Sequence, residues 1–137
     1  MAYISQEDKA RLAPTIKAIL KKYGLKGSIA IRHYSTLVVN IRSGSLDIIG
    51  NWWEYRQTHP TQADYTTKPE NIEIYGQHGA EDRFTGKVQQ FVKEIMAAMR
   101  GENYHNRSDI MTDYFDVSHY YTVNIGKWDK PYQFTQG

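Results

Sequence analysis

An acidic stretch in the last third of the chain carries the residue types best suited to chemistry. It contains His105, Asp109, Asp113, Asp116 and His119. Carboxylates and neutral imidazoles bind magnesium, manganese or zinc, and clustered carboxylates can act as general acids and bases. Spacings of three and four residues converge only on a helix, whereas the pattern here predicts a strand. We therefore predict no metal and no cofactor, and keep Asp109, Asp113 and Asp116 as the residues that a metal-dependent enzyme would use.

A basic segment in the first third suggests a different chemistry, the binding of phosphates and bases. Arginines and an aromatic ring on one sheet face can hold phosphates and stack bases. The motif of sheet-based RNA binders is absent, and the pI of 8.7 is below that of strongly basic domains. Nucleic-acid binding is thus an alternative to a solvated sheet face. The residues concerned are Lys26, Arg32, His33, Tyr34, Asn40 and Arg42.

Aromatic residues with a polar tip are unusually frequent, with eleven tyrosines and three tryptophans beside four phenylalanines. Such side chains suit interfaces better than a dry core. Trp52 and Trp53 are adjacent and cannot both point into one core, so at least one is expected to be partly exposed. Together with Arg56 and Trp128 they are candidate residues for binding another protein.

Several function classes are excluded or left without support. The absence of cysteine removes disulfides, thiol nucleophiles, thiolate zinc sites and iron–sulfur clusters. No nucleophile-elbow or phosphate-loop motif occurs. An enzyme is therefore less expected than a binding protein.

Length and composition predict one folded domain over residues 1–137. The chain is 40% hydrophobic, which is enough to form a core. No long apolar run and no secretory signal occur, so we expect a cytoplasmic protein without membrane contact. The net charge of +2 conceals nine basic and four acidic residues in 1–60 against eight and eleven in 61–137. An electrically polar molecule with an anionic partner is one interpretation of this difference.

The elements that would position these residues follow from hydrophobic periodicity. Helical spacing predicts main helices at about 6–23 and 84–100, the first either kinked or broken at Pro14. Alternation predicts a hairpin from Gly27 to Arg42, a strand at 72–76, and a strand or hairpin at 113–125. A short helix is expected at 46–57 and a long polar loop at about 58–71. The expected fold is α+β, an antiparallel sheet of four to five strands packed against the two main helices.

Three segments resemble a known family: Ser35–Gly44 (STLVVNIRSG), Ser108–Asp116 (SDIMTDYFD) and Val123–Pro131 (VNIGKWDKP), with further similarity at Leu12–Pro14 and Lys21–Gly24. The chain is similar in these segments to the large polyvalent protein-associated domains, which bacteriophages and plasmids encode. That family has no established activity, so the resemblance implies no catalytic residue. It implies a small mobile-element protein in a bacterial cytoplasm, and a counter-defence role against a CRISPR or restriction complex would suit that setting.

Three functions therefore remain open. We expect first a non-enzymatic binding protein that occupies a host protein or nucleoprotein complex through aromatic and charged surfaces, with a homodimer also allowed. The second is a nucleic-acid-binding domain that uses the basic hairpin. The third is a metal-dependent enzyme at the acidic stretch.

Overall fold

The computed structural model describes residues 3–58, 69–76, 79–101, 119–127 and 129–135. Most of the predicted polar loop and residues 113–118 of the predicted last strand lie outside them. In chain order the elements are α1 (Gln6–Lys22), β1 (Leu25–Arg32), β2 (Thr36–Gly44), α2 (Ile48–Thr58), β3 (Ile72–Tyr75), a short 3-10 helix (Ala80–Arg83), α3 (Gly86–Arg100), β4 (Tyr120–Ile125) and β5 (Gln133–Phe134).

The first helix is continuous through Pro14, so of the two alternatives, a kink or a break there, the break is wrong. Ser5 caps it: the Ser5 hydroxyl accepts from the Asp8 N–H and the Asp8 carboxylate accepts from the Ser5 N–H, each at 3.1 Å. These hydrogen bonds lower the pKa of Asp8. Leu12 and Ile16 are buried on either side of Pro14. Burial along the whole helix stabilises it despite the hydrogen bond that proline removes.

The sheet is mixed, with strand order β1-β2-β4-β3 and β5 paired to the end of β2. The α+β class and the strand number are confirmed. β1 with β2 and β3 with β4 pair antiparallel, but β2 pairs parallel with both β4 and β5, so the expectation of a wholly antiparallel sheet is wrong. The connection from β2 to β4 includes α2, β3, the 3-10 helix and α3, which is long enough for a parallel crossover.

All the described helices bury their apolar residues against one face of this sheet. The resulting core joins α1, α2 and α3 to alternate residues of the strands. Its sheet members include Leu37, Val39, Ile41, Val123 and Ile125, none of which is more than 1% exposed. Within the residues described above, every helix is too short or too polar to traverse a bilayer.

Candidate binding face of the sheet

The sheet face opposite the helices is the candidate functional surface, and we refer to it as the open face. None of the described helices packs on it. Because successive side chains of a strand point to opposite sides, the residues between the core positions all lie on this face. It is formed by Ser28, Ala30 and Arg32 of β1, Thr36, Val38 and Asn40 of β2, Tyr120, Thr122 and Asn124 of β4, and Glu73 and Tyr75 of β3.

Two tyrosines project from adjacent strands of the open face. Tyr120 is 51% exposed and Tyr75 is 62% exposed. Tyr75 pairs with Thr122, so Tyr120 is its diagonal neighbour, a relation in which side chains lie about 7–8 Å apart. Both rings therefore offer an aromatic surface to a ligand lying on this face. The alternation that places Ile74 and Tyr121 in the core could have identified them from the sequence.

An ion pair joins the two edges of the open face. The Arg32 guanidinium on β1 lies 3.5 Å from the Glu73 carboxylate on β3, with β2 and β4 between them in the sheet. The Thr122 hydroxyl lies 3.1 Å from the same carboxylate oxygen. Beneath this pair, Val38 and Thr122 are only 4% and 1% exposed. The predicted phosphate ligand Arg32 is thus already paired with a carboxylate.

The hairpin between β1 and β2 holds its tip in an uncommon conformation. His33 and Tyr34 have φ angles of +53° and +48°, in the left-handed region that favours glycine. The Ile4 N–H donates to the Tyr34 carbonyl at 2.9 Å, and the Tyr120 N–H donates to the Ser35 carbonyl at 2.8 Å. These two bonds fix the tip and present the Tyr34 ring, which is 65% exposed.

No protein-family model, curated protein or solved structure matches this chain.

The predicted residues Trp52, Trp53 and Arg56 lie on α2 and not on the hairpin of β1 and β2. Trp52 and Trp53 are both partly buried, and Trp52 packs against the core. The Arg56 guanidinium lies 5.2 Å from the centre of the Trp52 ring, in a cation–π contact. The sequence therefore predicted two groups of residues, one on the hairpin and one on a helix. Trp128 lies outside the described residues.

Of the five candidate residues of the acidic stretch, His119 lies within the described residues. His119 is buried, and its Nε2–H donates to the Met99 carbonyl at 2.8 Å. Burial lowers the pKa of His119, so the neutral ring is favoured. Asp109, Asp113 and Asp116 lie outside the described residues, as does His105. Among the residues that are described, no three His, Asp or Glu side chains are grouped to hold a metal ion.

Arg42 occupies an end of the open face. β1 and β2 change register there, since Lys26 pairs with Ser43 but Gly27 pairs with Ile41, which leaves Arg42 as an extra residue on β2. Such a β-bulge redirects a side chain and is common beside binding sites. The Arg42 side chain is exposed. Of the predicted hairpin residues, Arg42 is therefore the arginine without a carboxylate partner in the described structure.

Proposed function

We propose that this protein is a non-catalytic binding protein whose open face binds single-stranded nucleic acid, either free or exposed within a host nucleoprotein complex. The observation that carries the proposal is the pair of solvent-exposed tyrosine rings, Tyr75 and Tyr120, on adjacent strands of a sheet face that the described helices leave uncovered.

The rings supply the first part of the binding energy. Bases of a single strand stack on aromatic side chains, and each stacked base contributes about 1–3 kcal/mol. A sheet holds its aromatic side chains in fixed positions, so little order has to be gained on binding. Tyr75 and Tyr120 belong to paired strands and are spaced as diagonal neighbours. Two adjacent bases are the ligand that this spacing suits.

Charge supplies the second part. The Glu73 carboxylate on the open face is paired with Arg32, so the charges of these two side chains cancel. Lys26 and Arg42 remain exposed at one end of the face without an ion pair in the described part of the chain. The face is consequently attractive to a phosphate backbone, in agreement with the basic excess of residues 1–60.

The sequence resemblance gives this proposal a setting. A mobile-element protein in a bacterial cytoplasm would meet a single strand in a CRISPR complex, which displaces one strand of its DNA target. By occupying such a strand, the protein would block the complex without cleaving anything. A counter-defence role of this kind would require strand binding and no catalytic residue.

A protein partner is the second candidate, and the hairpin tip favours it. Tyr3 and Tyr34 are 59% and 65% exposed, and the hydrogen bond from Ile4 to Tyr34 brings their backbones together. Residues held at positive φ store strain of order 1–3 kcal/mol, which is more often kept at recognition sites than elsewhere. Two exposed tyrosines on backbone segments joined by a hydrogen bond are typical anchor residues for a protein partner.

Fluorescence anisotropy with labelled oligothymidylate, from 20 mM to 300 mM salt, tests the first candidate. We expect saturable binding at low salt. The logarithm of the association constant should fall steeply and linearly with the logarithm of the salt concentration. A duplex of the same length serves as the control and should bind more weakly, since its bases are already stacked. No binding of any single strand at the lowest salt would refute the proposal.

A further inference from the structure

A small basic pocket lies at one end of the open face, beyond the two exposed tyrosines. Its volume is about 200 Å³. The strand residues around it come from the bulged region of β1 and β2, and the opposite wall comes from the turn that follows β4. The residues that matter for its chemistry are Gly27, Asn40, Arg42, Gly126, Lys127 and Lys130.

Two glycines shape the walls of this pocket. A methyl group on Gly27 would collide with the Asn40 carbonyl oxygen, so β1 and β2 approach closely there only because Gly27 has no side chain. Gly126 has a φ of +75°, and a methyl group there would collide with the Tyr132 backbone. Both positions thus depend on glycine. The close approach and the left-handed turn together place the lysine-bearing turn against the β-bulge.

The turn after β4 holds its two lysines opposite each other. The Lys127 N–H donates to the Lys130 carbonyl at 2.8 Å, and the Lys130 N–H donates to the Lys127 carbonyl at 3.1 Å. This reciprocal pair forms a β-bridge. Because two backbone bonds fix the turn, the backbones of both lysines have defined positions beside the pocket. Arg42, the extra residue of the bulge, faces them from β2.

The residues that line the pocket offer hydrogen-bond donors and positive charge, although Asp129 precedes Lys130 in the same turn. No acidic residue lines it, and in the described structure none of its three cationic side chains forms an ion pair. The Asn40 side-chain oxygen accepts from Asn124 at 2.9 Å, so its amide nitrogen is the atom left to donate. Three cations around one cavity repel each other unless an anion joins them. This arrangement fits an anion with several acceptor oxygens.

We propose that this pocket binds one phosphate group of the strand that lies on the open face. The volume is below the roughly 300–1,000 Å³ of pockets for whole small molecules, so it suits a phosphate better than a complete nucleotide. Arg42 lies six residues along β2 from Thr36, the partner of Tyr120, which corresponds to about 20 Å. A strand anchored by a phosphate here reaches the tyrosines with its bases. This inference rests on the proposed function only for the identity of the ligand.

A charge-matched pair of variants tests the pocket. Lys127→Gln with Lys130→Gln removes two charges from its wall, and Lys17→Gln with Lys21→Gln removes two exposed charges from α1, on the other side of the sheet. All four side chains are exposed, so both variants should fold. We expect the pocket variant to bind oligothymidylate at least about tenfold more weakly, with a salt slope reduced by about 0.7, the contribution of one single-strand phosphate. The α1 variant should do neither, and equal effects of the two variants would overturn the proposal.

Inorganic phosphate separates the pocket from the rest of the face. In an NMR titration of the wild-type protein, phosphate should shift the amide signals of Gly27 and Gly126, and the shifts should vanish in the pocket variant. Shifts without any oligonucleotide binding would support the pocket and overturn the proposed function. If instead the pocket variant bound the oligonucleotide as well as the wild-type protein and phosphate caused no shifts, the proposed function would be supported and the pocket overturned.

Tighter binding of a 5′-phosphorylated strand than of an unphosphorylated one would identify the phosphate as terminal, and equal binding would identify it as internal.

Discussion

The two faces of the sheet are made by the same strands and yet differ in polarity and in the exposure of their aromatic side chains. On the helix-covered face, Leu37, Val39 and Ile41 of β2 are at most 1% exposed. On the open face, the same strand presents Thr36, Asn40 and the central Val38. The period of two in a strand allows one sequence to serve two purposes at once. One face therefore maintains the fold, and the other is the face that we propose binds a ligand.

If this division holds, the largest effect comes from the covered face. Phe91 of α3 is fully buried and meets the Tyr23 ring edge-on at 5.3 Å. We expect Phe91→Ala to lower the free energy of unfolding by about 3–5 kcal/mol, because it leaves a cavity. Urea denaturation followed by circular dichroism measures this. Below its unfolding midpoint the variant should bind oligothymidylate normally; a loss of affinity in a folded sample would mean that the faces are not independent.

Substitutions on the open face should weaken ligand binding and leave the stability of the fold nearly unchanged. We expect Tyr75→Ala and Tyr120→Ala each to weaken oligothymidylate binding by about 1–3 kcal/mol, because each removes a stacking surface. Unfolding free energies should change by only about 0.5 kcal/mol, since both rings are exposed. Tyr34→Ala, which removes an equally exposed ring from the hairpin tip, is the matched control in the anisotropy assay. If the tip variant alone lost its ligand, the protein-partner candidate would gain at the expense of the open face.

Much of the division between the faces could be predicted from the sequence. Alternation predicted β1, β2 and β3, and helical spacing predicted α1 and α3, because these patterns reflect burial on one side. The short helix expected at 46–57 is confirmed as α2, at 48–58. The two-residue β5 was not predicted, since only its pairing with Ser43 and Gly44 defines it.

The direction of strand pairing could not be predicted in the same way. A Val-Asn-Ile triplet occurs in both β2 and β4, and the two copies pair in register, with Asn40 beside Asn124. Periodicity is the same for parallel and antiparallel neighbours, so the expected antiparallel sheet was wrong on this point. The pocket was missed for a related reason. Arg42 was a candidate residue, but Lys127 and Lys130 join it only through the crossover that makes β4 the neighbour of β2.

His119 directly precedes β4 and is buried on the helix-covered side of the sheet, so its titration reports on that face. Its pKa is lowered by burial, which outweighs the opposing effects of the hydrogen bond to Met99 and the charge of Asp8; Arg11 lowers the pKa further. Just below pH 6.5, the ordinary pKa of histidine, the folded protein thus binds fewer protons than the unfolded chain. The free energy of unfolding should therefore decrease as the pH is lowered through this range. The slope is at most about 1.4 kcal/mol per pH unit.

The matched variant for this pH effect is His119→Gln, which keeps an N–H donor for the Met99 carbonyl and does not titrate. Denaturation midpoints measured between pH 7.5 and 5.0 should fall more in the wild-type protein than in the variant. Parallel curves for the two proteins would contradict a neutral, buried His119. Oligothymidylate binding at constant pH should be the same in both, because the ring lies on the covered side.

The smallest effect is expected from the ion pair that spans the open face, and it is also the most direct test of which face binds. Glu73→Gln should change the free energy of unfolding by less than about 1 kcal/mol, since Arg32 and Glu73 are 47% and 31% exposed and water screens them. The glutamine oxygen can still accept from Thr122, so the strands should stay in place. The freed Arg32 would then face a strand on the open face, and oligothymidylate should bind a few-fold more tightly, with a steeper dependence on salt. Glu54→Gln removes the same charge from an exposed position on α2 and should leave the salt slope unchanged. If the two variants raised the affinity equally, the change in overall charge would account for the gain. That result would contradict the open face as the binding surface.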